Sequence, residues 1–374
     1  MPSGSGGAEG GAALCGAPTG SSGRGSVAGY RDAVRVPAGA PRLIGAVAVV
    51  IAVLGVAITV GARGGTTWVG RGVGSAIGGL ARTESPARTV DAYAGFGTWV
   101  DAFDFVPAYA GDAGVTVTID DVDRMADAGV GTLFLQAARE DERSPGPLVD
   151  PRAMAPLIVR AHQRGMRVVG WYLPKFADVG TDLDHLLAID RFEVAGHRFD
   201  GIAVDIEWTE DVPDPVERGR RLVDLSERLR EAVGDQAVGA IVLPPVQTEV
   251  VNPAYWPSFP WRALADLYDV WLPMSYWTFR STESGYGDGY RYNEESTRRL
   301  RANLGQPDAV VHGIGGIGDE ATEQEYENFA RSLADTASIG GSVYDYATTA
   351  PEALAPLAES VTAAVEQARA PSED

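Results

Sequence analysis

Two acidic residues two positions apart, Asp205 and Glu207, are the strongest chemical feature of this 374-residue chain. They sit in the run Asp200-Gly201-Ile202-Ala203-Val204-Asp205-Ile206-Glu207-Trp208. Side chains of an extended strand alternate between faces. Ala203, Asp205 and Glu207 therefore share one face, and Ile202, Val204 and Ile206 share the other. Carboxylates so spaced lie about 6.6 Å apart along the strand. Enclosed together they repel, and at least one is pushed toward its neutral form. A carboxyl that keeps its proton near neutral pH can serve as a general acid. The blander expectation is a rim carboxylate paired with an arginine. It fits an isolated acid better than two that share a face and precede Trp208. Asp200 marks the strand's start and reads as structural.

The elements that must position this pair recur from residue 96 onward. Short apolar, β-branched or aromatic runs alternate with longer amphipathic ones. Strands are predicted at 97–104, 131–136, 167–173, 201–207, 237–243, 269–276, 309–315 and 340–346. Helices are predicted near 118–128, 151–164, 182–197, 214–232, 260–267, 293–303, 321–336 and 350–368. Thr118 with Asp121 forms a capping-box pattern, and Thr181 with Asp182 is expected to cap the third helix. Pro215 and Pro351 suit first turns. Gly129, Gly165, Gly234 and Gly305 fall just past helix ends. Strands separated by helices pair in parallel through right-handed crossovers. Eight such units predict an α/β protein with a closed (β/α)8 TIM barrel. An open doubly wound sheet is the alternative, but no Gly-rich phosphate loop follows the first strand. Gly313, Gly315, Gly316 and Gly318 read as a tight rim turn after strand seven.

Such barrels carry their chemistry at the C-terminal ends of the strands. That rule selects Trp99, Asp101 and Asp104 from strand one, and Gln136 and Arg139 from strand two. Strand three supplies Trp171, Tyr172 and Lys175, the only lysine of the chain. Strand four supplies Asp205, Glu207 and Trp208, and strand six Met274, Tyr276 and Trp277. His312 comes from strand seven, and Tyr344, Asp345 and Tyr346 from strand eight. Indole planes suit the C–H faces of sugar rings, so Trp99, Trp171, Trp208 and Trp277 at one barrel end suggest a carbohydrate platform. The alternative is that they fill barrel layers. The loop Gly285–Tyr292 could add a mobile aromatic rim. His162, His185 and His197 fall on outer helices as surface or interface residues. His312 facing Asp205, Glu207 and Asp345 would make a metal site, although no close-spaced His pattern accompanies it. No G-x-S-x-G element favours serine hydrolase chemistry.

The strand-four run resembles the signature D-G-x-D-x-D-x-E of glycoside hydrolase family 18, the chitinase-like barrels. It matches at Asp200, Gly201, Asp205 and Glu207 and departs at Ala203. Met274-Ser275-Tyr276-Trp277 resembles the family's M-x-Y-D, matching at Met274 and Tyr276 and departing at Trp277. The resemblance implies a retaining glycosidase with substrate assistance. Glu207 would protonate the glycosidic oxygen. The sugar's 2-acetamido group would attack the anomeric carbon, oriented by Asp205 and Tyr276. Ala203 and Trp277 each remove a polar group that tunes this arrangement. Sugars without the acetamido group would instead need a more distant carboxylate, Asp101, Asp104 or Asp345, as nucleophile or base. Trp99, Asp101, Asp104, Gln136, Trp171, Trp208, Met274, Trp277, Tyr344 and Asp345 are the candidate substrate-binding residues. The alternatives to a hydrolase of this kind are a catalytically inactive carbohydrate-binding barrel and a metal-dependent hydrolase; the favoured reading expects no cofactor or resident metal.

The first 92 residues differ in kind. Residues 1–41, rich in Gly, Ala and Ser, read as a disordered tail. Residues 43–62 are uncharged and apolar, bracketed by Arg42 and Arg63. As a helix they would reach about 30 Å, the thickness of a bilayer core. They read as a single transmembrane helix. Arg31, Arg35 and Arg42 precede it and Arg63 and Arg71 follow, an excess that favours an inside N-terminus and an extracytoplasmic barrel. The long preceding segment favours an uncleaved anchor over a signal peptide. Residues 63–92 read as a linker and 93–374 as the barrel domain. The chain carries a net charge of −20; residues 1–89 hold eight Arg and three acidic residues, so the remainder carries about −25. An acidic domain repels phosphate backbones, which excludes nucleic acid as an expected partner. The single cysteine, Cys15, lies in the tail, so thiol chemistry is excluded from the barrel. The expected partners are a polysaccharide or oligosaccharide substrate and the cell membrane.

Overall fold

Apolar runs buried on both faces form eight short strands. The computed structural model describes residues 87–318 and 320–369. The barrel strands are β1 (Gly95–Val100), β2 (Thr132–Gln136), β3 (Arg167–Tyr172), β4 (Gly201–Ile206), β5 (Val238–Val242), β6 (Val270–Pro273), β7 (His312–Ile317) and β8 (Gly340–Tyr344). The helices that follow them are α1 (Ile119–Asp127), α2 (Pro151–Gln163), α3 (Val179–Arg191), α4 (Pro215–Val233), α5 (Trp261–Leu264), α6 (Gly289–Leu304), α7 (Glu323–Asp335) and α8 (Pro351–Arg369). All neighbouring barrel strands pair in parallel, and β1 pairs with both β2 and β8. Single parallel bridges, Trp271 to Val311 and Met274 to Ile314, join β6 to β7 and close the (β/α)8 barrel at that seam.

Alternation along each strand sorts the side chains. Phe96, Val100, Leu133, Leu135, Val168, Ile202, Val204 and Ile206 join the apolar layer between strands and helices. Trp99, Phe134, Trp171, Ala203, Asp205, Ile241, Leu272 and Met274 are buried on the inward faces. The interior is thus packed by side chains, as barrels of this size require.

The predicted elements differ from the observed ones mostly at their ends. Strand one stops at Val100 because Asp101 and Asp104 form a capping box for a short helix, Ala102–Phe105. The Thr118–Asp121 capping box forms as expected. The third helix starts earlier than predicted and is capped by Asp178, which accepts from Thr181 N at 3.0 Å. Asp182 is instead buried, accepting from Tyr172 Oη and the Lys175 and Phe176 amides. That helix ends at Arg191, and a hairpin pairs Glu193 with Arg198 and Val194 with His197. Its turn residues, Ala195 and Gly196, have φ of 50° and 80°. An Ala in that conformation is uncommon, which hid the hairpin within a helical pattern.

The folded body begins before residue 93. Arg88 is ion-paired with Asp190 and donates to Phe199 O and Gln236 Oε1 at 3.0 and 2.7 Å. A 3-10 turn, Val90–Tyr93, lies beneath the barrel. The tail 1–41, the apolar segment 43–62 and the linker as far as 86 lie outside the described residues. Among the described residues no helix is long and apolar enough to cross a membrane.

Candidate active site

β4 delivers the acidic pair as its period-two pattern requires. Ile202, Val204 and Ile206 face the helices, which turns Ala203 and Asp205 inward. Asp205 is buried, and Glu207, one residue past the strand end, is half-buried. Asp205 Oδ1 and Glu207 Oε1 are both shielded from solvent and have no hydrogen-bond partner among the described residues. Burial pushes the Glu207 carboxyl up to about 7. Burial, and then the neighbouring Glu207 charge, push Asp205 well above the ordinary carboxylate range. Both shifts share one physical cause, the enclosure of two neighbouring acidic groups away from solvent, and neither has a cationic partner among the described residues.

An aromatic wall stands at the same end. Trp171 and Trp99 meet edge to face at 6.1 Å between centroids, Trp99 and Tyr344 at 6.5 Å, and Tyr344 and Tyr276 at 5.7 Å. Trp99 also stacks on Phe134 at 4.3 Å and donates from Nε1 to Ser342 Oγ at 2.8 Å, so it is held as a packed layer. Trp171 Nε1 is buried with no partner among the described residues. Met274 faces inward and is buried. Gln136 Oε1 accepts from Ala102 N at 2.9 Å, which ties the loop after β1 to β2.

A second carboxylate group lines the rim beside β1 and β8. Asp101, Asp104 and Asp345 are all buried and bring one oxygen each within 4.8 Å of one another. Each also does local structural work. Asp101 accepts from Phe103 N at 2.8 Å, and Asp104 from Asp101 N at 3.2 Å. Asp345 accepts from Thr348 N at 3.0 Å, and Tyr344 Oη donates to Asp101 at 3.3 Å. Three such oxygens are a hard-cation donor set in type, though the capping amides already claim part of their lone-pair capacity.

Several expected site residues lie elsewhere. Trp277 turns away from the barrel interior and packs on Phe329 and Tyr326 of α7, with centroids at 5.5 and 6.2 Å. Gly315 and Gly316 make room for it: a Cβ at either would stand 3.0 Å from its ring. Gly313, Gly315 and Gly316 therefore belong to β7, and only Gly318 lies in the turn that follows it. Trp208 donates to Asp211 within its own loop. The Gly285–Tyr292 segment runs into the first turn of α6. Asp288 caps α6, accepting from Arg291 N at 2.7 Å, and Tyr286 and Tyr292 are buried against each other.

His312 does not join the acids. Its Nδ1 donates to Tyr93 O at 2.7 Å, so its Nε2 accepts from Ser342 Oγ at 2.9 Å. Burial pushes it down to about 4, so it is neutral at physiological pH. The expected site of His312 with three carboxylates is thus not formed, because both ring nitrogens are committed to the barrel floor.

Tyr255, in the long β5–α5 loop, escaped the sequence reading. Its Oη donates to Glu207 O at 2.8 Å. Burial, then the nearby Glu207 charge, push its hydroxyl up to about 12. It fixes the strand end that presents Glu207. Loop residues carry no periodicity, and no local signal tied Tyr255 to β4.

No protein-family model matches the chain, and no curated protein matches it. Solved structures do resemble it. The C-terminal domain of a proposed chitinase from Desulfitobacterium hafniense DCB-2 superposes with a TM-score of 0.52 at 10% identity, over 75% of this chain and 100% of that one. A family 18 chitinase from Pseudoalteromonas aurantia gives 0.48 at 11% identity, over 72% and 99% of the two chains. The endo-beta-1,4-glucanase Xac0029 from Xanthomonas axonopodis pv. citri gives 0.49 at 14%, over 72% and 99%. At such identities the likeness concerns the fold alone, a (β/α)8 barrel.

Proposed function

We propose that this chain is a membrane-anchored glycoside hydrolase whose barrel acts outside the cell on a polysaccharide, with Glu207 as the general acid. The observation that carries the reading is the neighbouring carboxyls of Asp205 and Glu207 at the C-terminal mouth, each with one solvent-shielded oxygen that has no partner among the described residues, and with Glu207 held near 7. Such a group is protonated often enough at neutral pH to donate to a leaving oxygen. Asp205 steadies the charge that develops beside it, and Tyr276 at the rim orients the sugar. Trp171 and Tyr344 supply apolar faces for sugar rings, with Trp99 packed behind them. The anchor rests on the uncharged stretch 43–62 and the arginines around it.

A second reading is a barrel that binds carbohydrate without cleaving it. Ala203 and the outward-turned Trp277 favour it, because they leave Asp205 with fewer polar neighbours than the family pattern provides. One experiment separates the two. The purified chain and its Glu207→Gln variant are assayed against peptidoglycan, chitin and plain glucans, with binding measured in parallel. Turnover by the wild type that Glu207→Gln abolishes supports the hydrolase. Equal binding by both with no turnover by either supports the silent binder.

A further inference from the structure

At the opposite end of the barrel, two histidines from separate elements meet head to head. His162, in the last turn of α2, places Nδ1 2.8 Å from Nδ1 of His197 on the hairpin before β4. His162 Nε2 lies 2.8 Å from Asp200 Oδ2, which also accepts from Val168 N at 2.7 Å. A carboxylate only accepts, so Asp200 fixes the proton of His162 on Nε2. The Nδ1 of neutral His162 is then a lone pair aimed at His197. All three side chains are partly exposed, so the pair is open to solvent.

We infer that His162 and His197 form a surface site for a divalent transition metal, with Asp200 as the carboxylate behind one ligand. Metal-bound imidazoles commonly donate their other ring N–H to a carboxylate, which orients the ring and raises its basicity. Distance selects the geometry. Two imidazole nitrogens at about 2.0–2.1 Å from a metal stand about 2.9 Å apart at right angles and about 3.4 Å apart in a tetrahedron. The observed 2.8 Å is the length of an N–H···N hydrogen bond, and it leaves the two nitrogens at a separation that the right-angled pair of a tetragonal site, the preference of Cu(II) and Ni(II), can take up after the rings turn toward a common point. Binding requires the His197 proton to pass from Nδ1 to its own Nε2 through solvent, which leaves Nδ1 as a lone pair, and the ring to swing on the two-residue strand of its hairpin. Water fills the other positions. The metal would clamp α2, the hairpin and the start of β4 together, independently of any chemistry at the mouth.

The test titrates the full-length chain with copper(II) chloride, then nickel(II) chloride, in a Cys15→Ser background that removes the single thiol. Calorimetry and electron paramagnetic resonance supply the readouts. One Cu(II) per chain is expected, with a tetragonal spectrum split by two imidazole nitrogens. His197→Gln and His162→Gln should each weaken binding at least tenfold. Asp200→Asn should weaken it about tenfold or more while the spectrum keeps two nitrogens. His197→Gln alters an exposed hairpin, so an unchanged metal-free melting temperature establishes that it folds. Absence of stoichiometric binding, or unchanged affinity and spectrum in His197→Gln, would overturn the site and leave a shared proton as the pair's only occupant.

Discussion

The two ends of the barrel treat polar groups in opposite ways. At the floor every named group is paired: Ser342 donates to His312, and His312 to the Tyr93 carbonyl. The Tyr93 hydroxyl both donates to Ile202 O at 2.6 Å and accepts from Ile202 N at 3.1 Å. At the mouth, Asp205 Oδ1 and Glu207 Oε1 are shielded from solvent without partners among the described residues. Paired buried groups stabilise a fold, and unpaired ones cost it. A protein tolerates that cost where the groups have work to do on something that arrives later. The contrast supports the proposed placement of the site at the mouth.

The largest expected effect breaks the contrast at its centre. Glu207→Gln should lower kcat on a cleavable glycan by about a thousandfold or more, a loss of about 4 kcal/mol of barrier lowering, while sugar binding persists. A variant with normal turnover would remove Glu207 from the mechanism. Because the acid must be protonated, wild-type kcat/KM should fall as pH rises through about 7.

The same substitution should stabilise the fold. The folded state holds the Glu207 proton up to about 7, against an ordinary 4.5, so its ionisation opposes folding at higher pH. Stability of the wild type should therefore fall as pH rises through that window. Glu207→Gln should gain up to about 3 kcal/mol over wild type at pH 8 and almost nothing at pH 4. Denaturant melts at the two pH values check this. A variant less stable at pH 8 would contradict the unpaired state of the carboxyl.

Ala203→Asp tests whether the family's third inner acid can be restored. The Ala203 side chain is fully buried, and a Cβ on neighbouring Gly239 would stand 3.3 Å from it and 2.8 Å from the Tyr93 ring. A carboxylate there has neither space nor a partner. The variant should lose about 3 kcal/mol or more of stability at pH 8 and gain no activity. Greater activity would mean that Ala203 is the reason for any low turnover.

Tyr93→Phe probes the floor alone. Losing a buried hydroxyl that serves two backbone groups should cost about 1–3 kcal/mol, read by denaturant melts, and leave kcat per folded molecule unchanged. A fall in kcat would show that floor and mouth are coupled. Tyr276→Phe should have the smallest effect, lowering kcat/KM severalfold on acetamido sugars and sparing stability. Its indifference to the acetamido group would direct attention to glycans that lack one.

Much of this was legible in the residues. Ile202, Val204 and Ile206 on one face of a short strand leave Asp205 no direction but inward, and eight such strands with intervening helices leave few topologies. Local chemistry also placed the Thr118–Asp121 box and the glycine caps. Trp277 was not legible, because a residue beyond the strand end has no alternation to aim it. The room beside Gly315 and Gly316 drew it onto α7. His197 was hidden by a turn whose Ala195 adopts a conformation that alanine seldom takes.

Sequence by itself determined the repeating strand–helix order and the inward face of Asp205, because both follow from periodicities that act over a few residues. Only the tertiary structure decided which polar groups meet. It sent His312 to the floor and joined Asp101 to Asp345. It set Tyr255 beside Glu207 and brought His162 against His197. Those contacts join positions 35 to more than 200 residues apart, and no local pattern encodes them. They arise when the sheet closes and the loops are forced onto its rims.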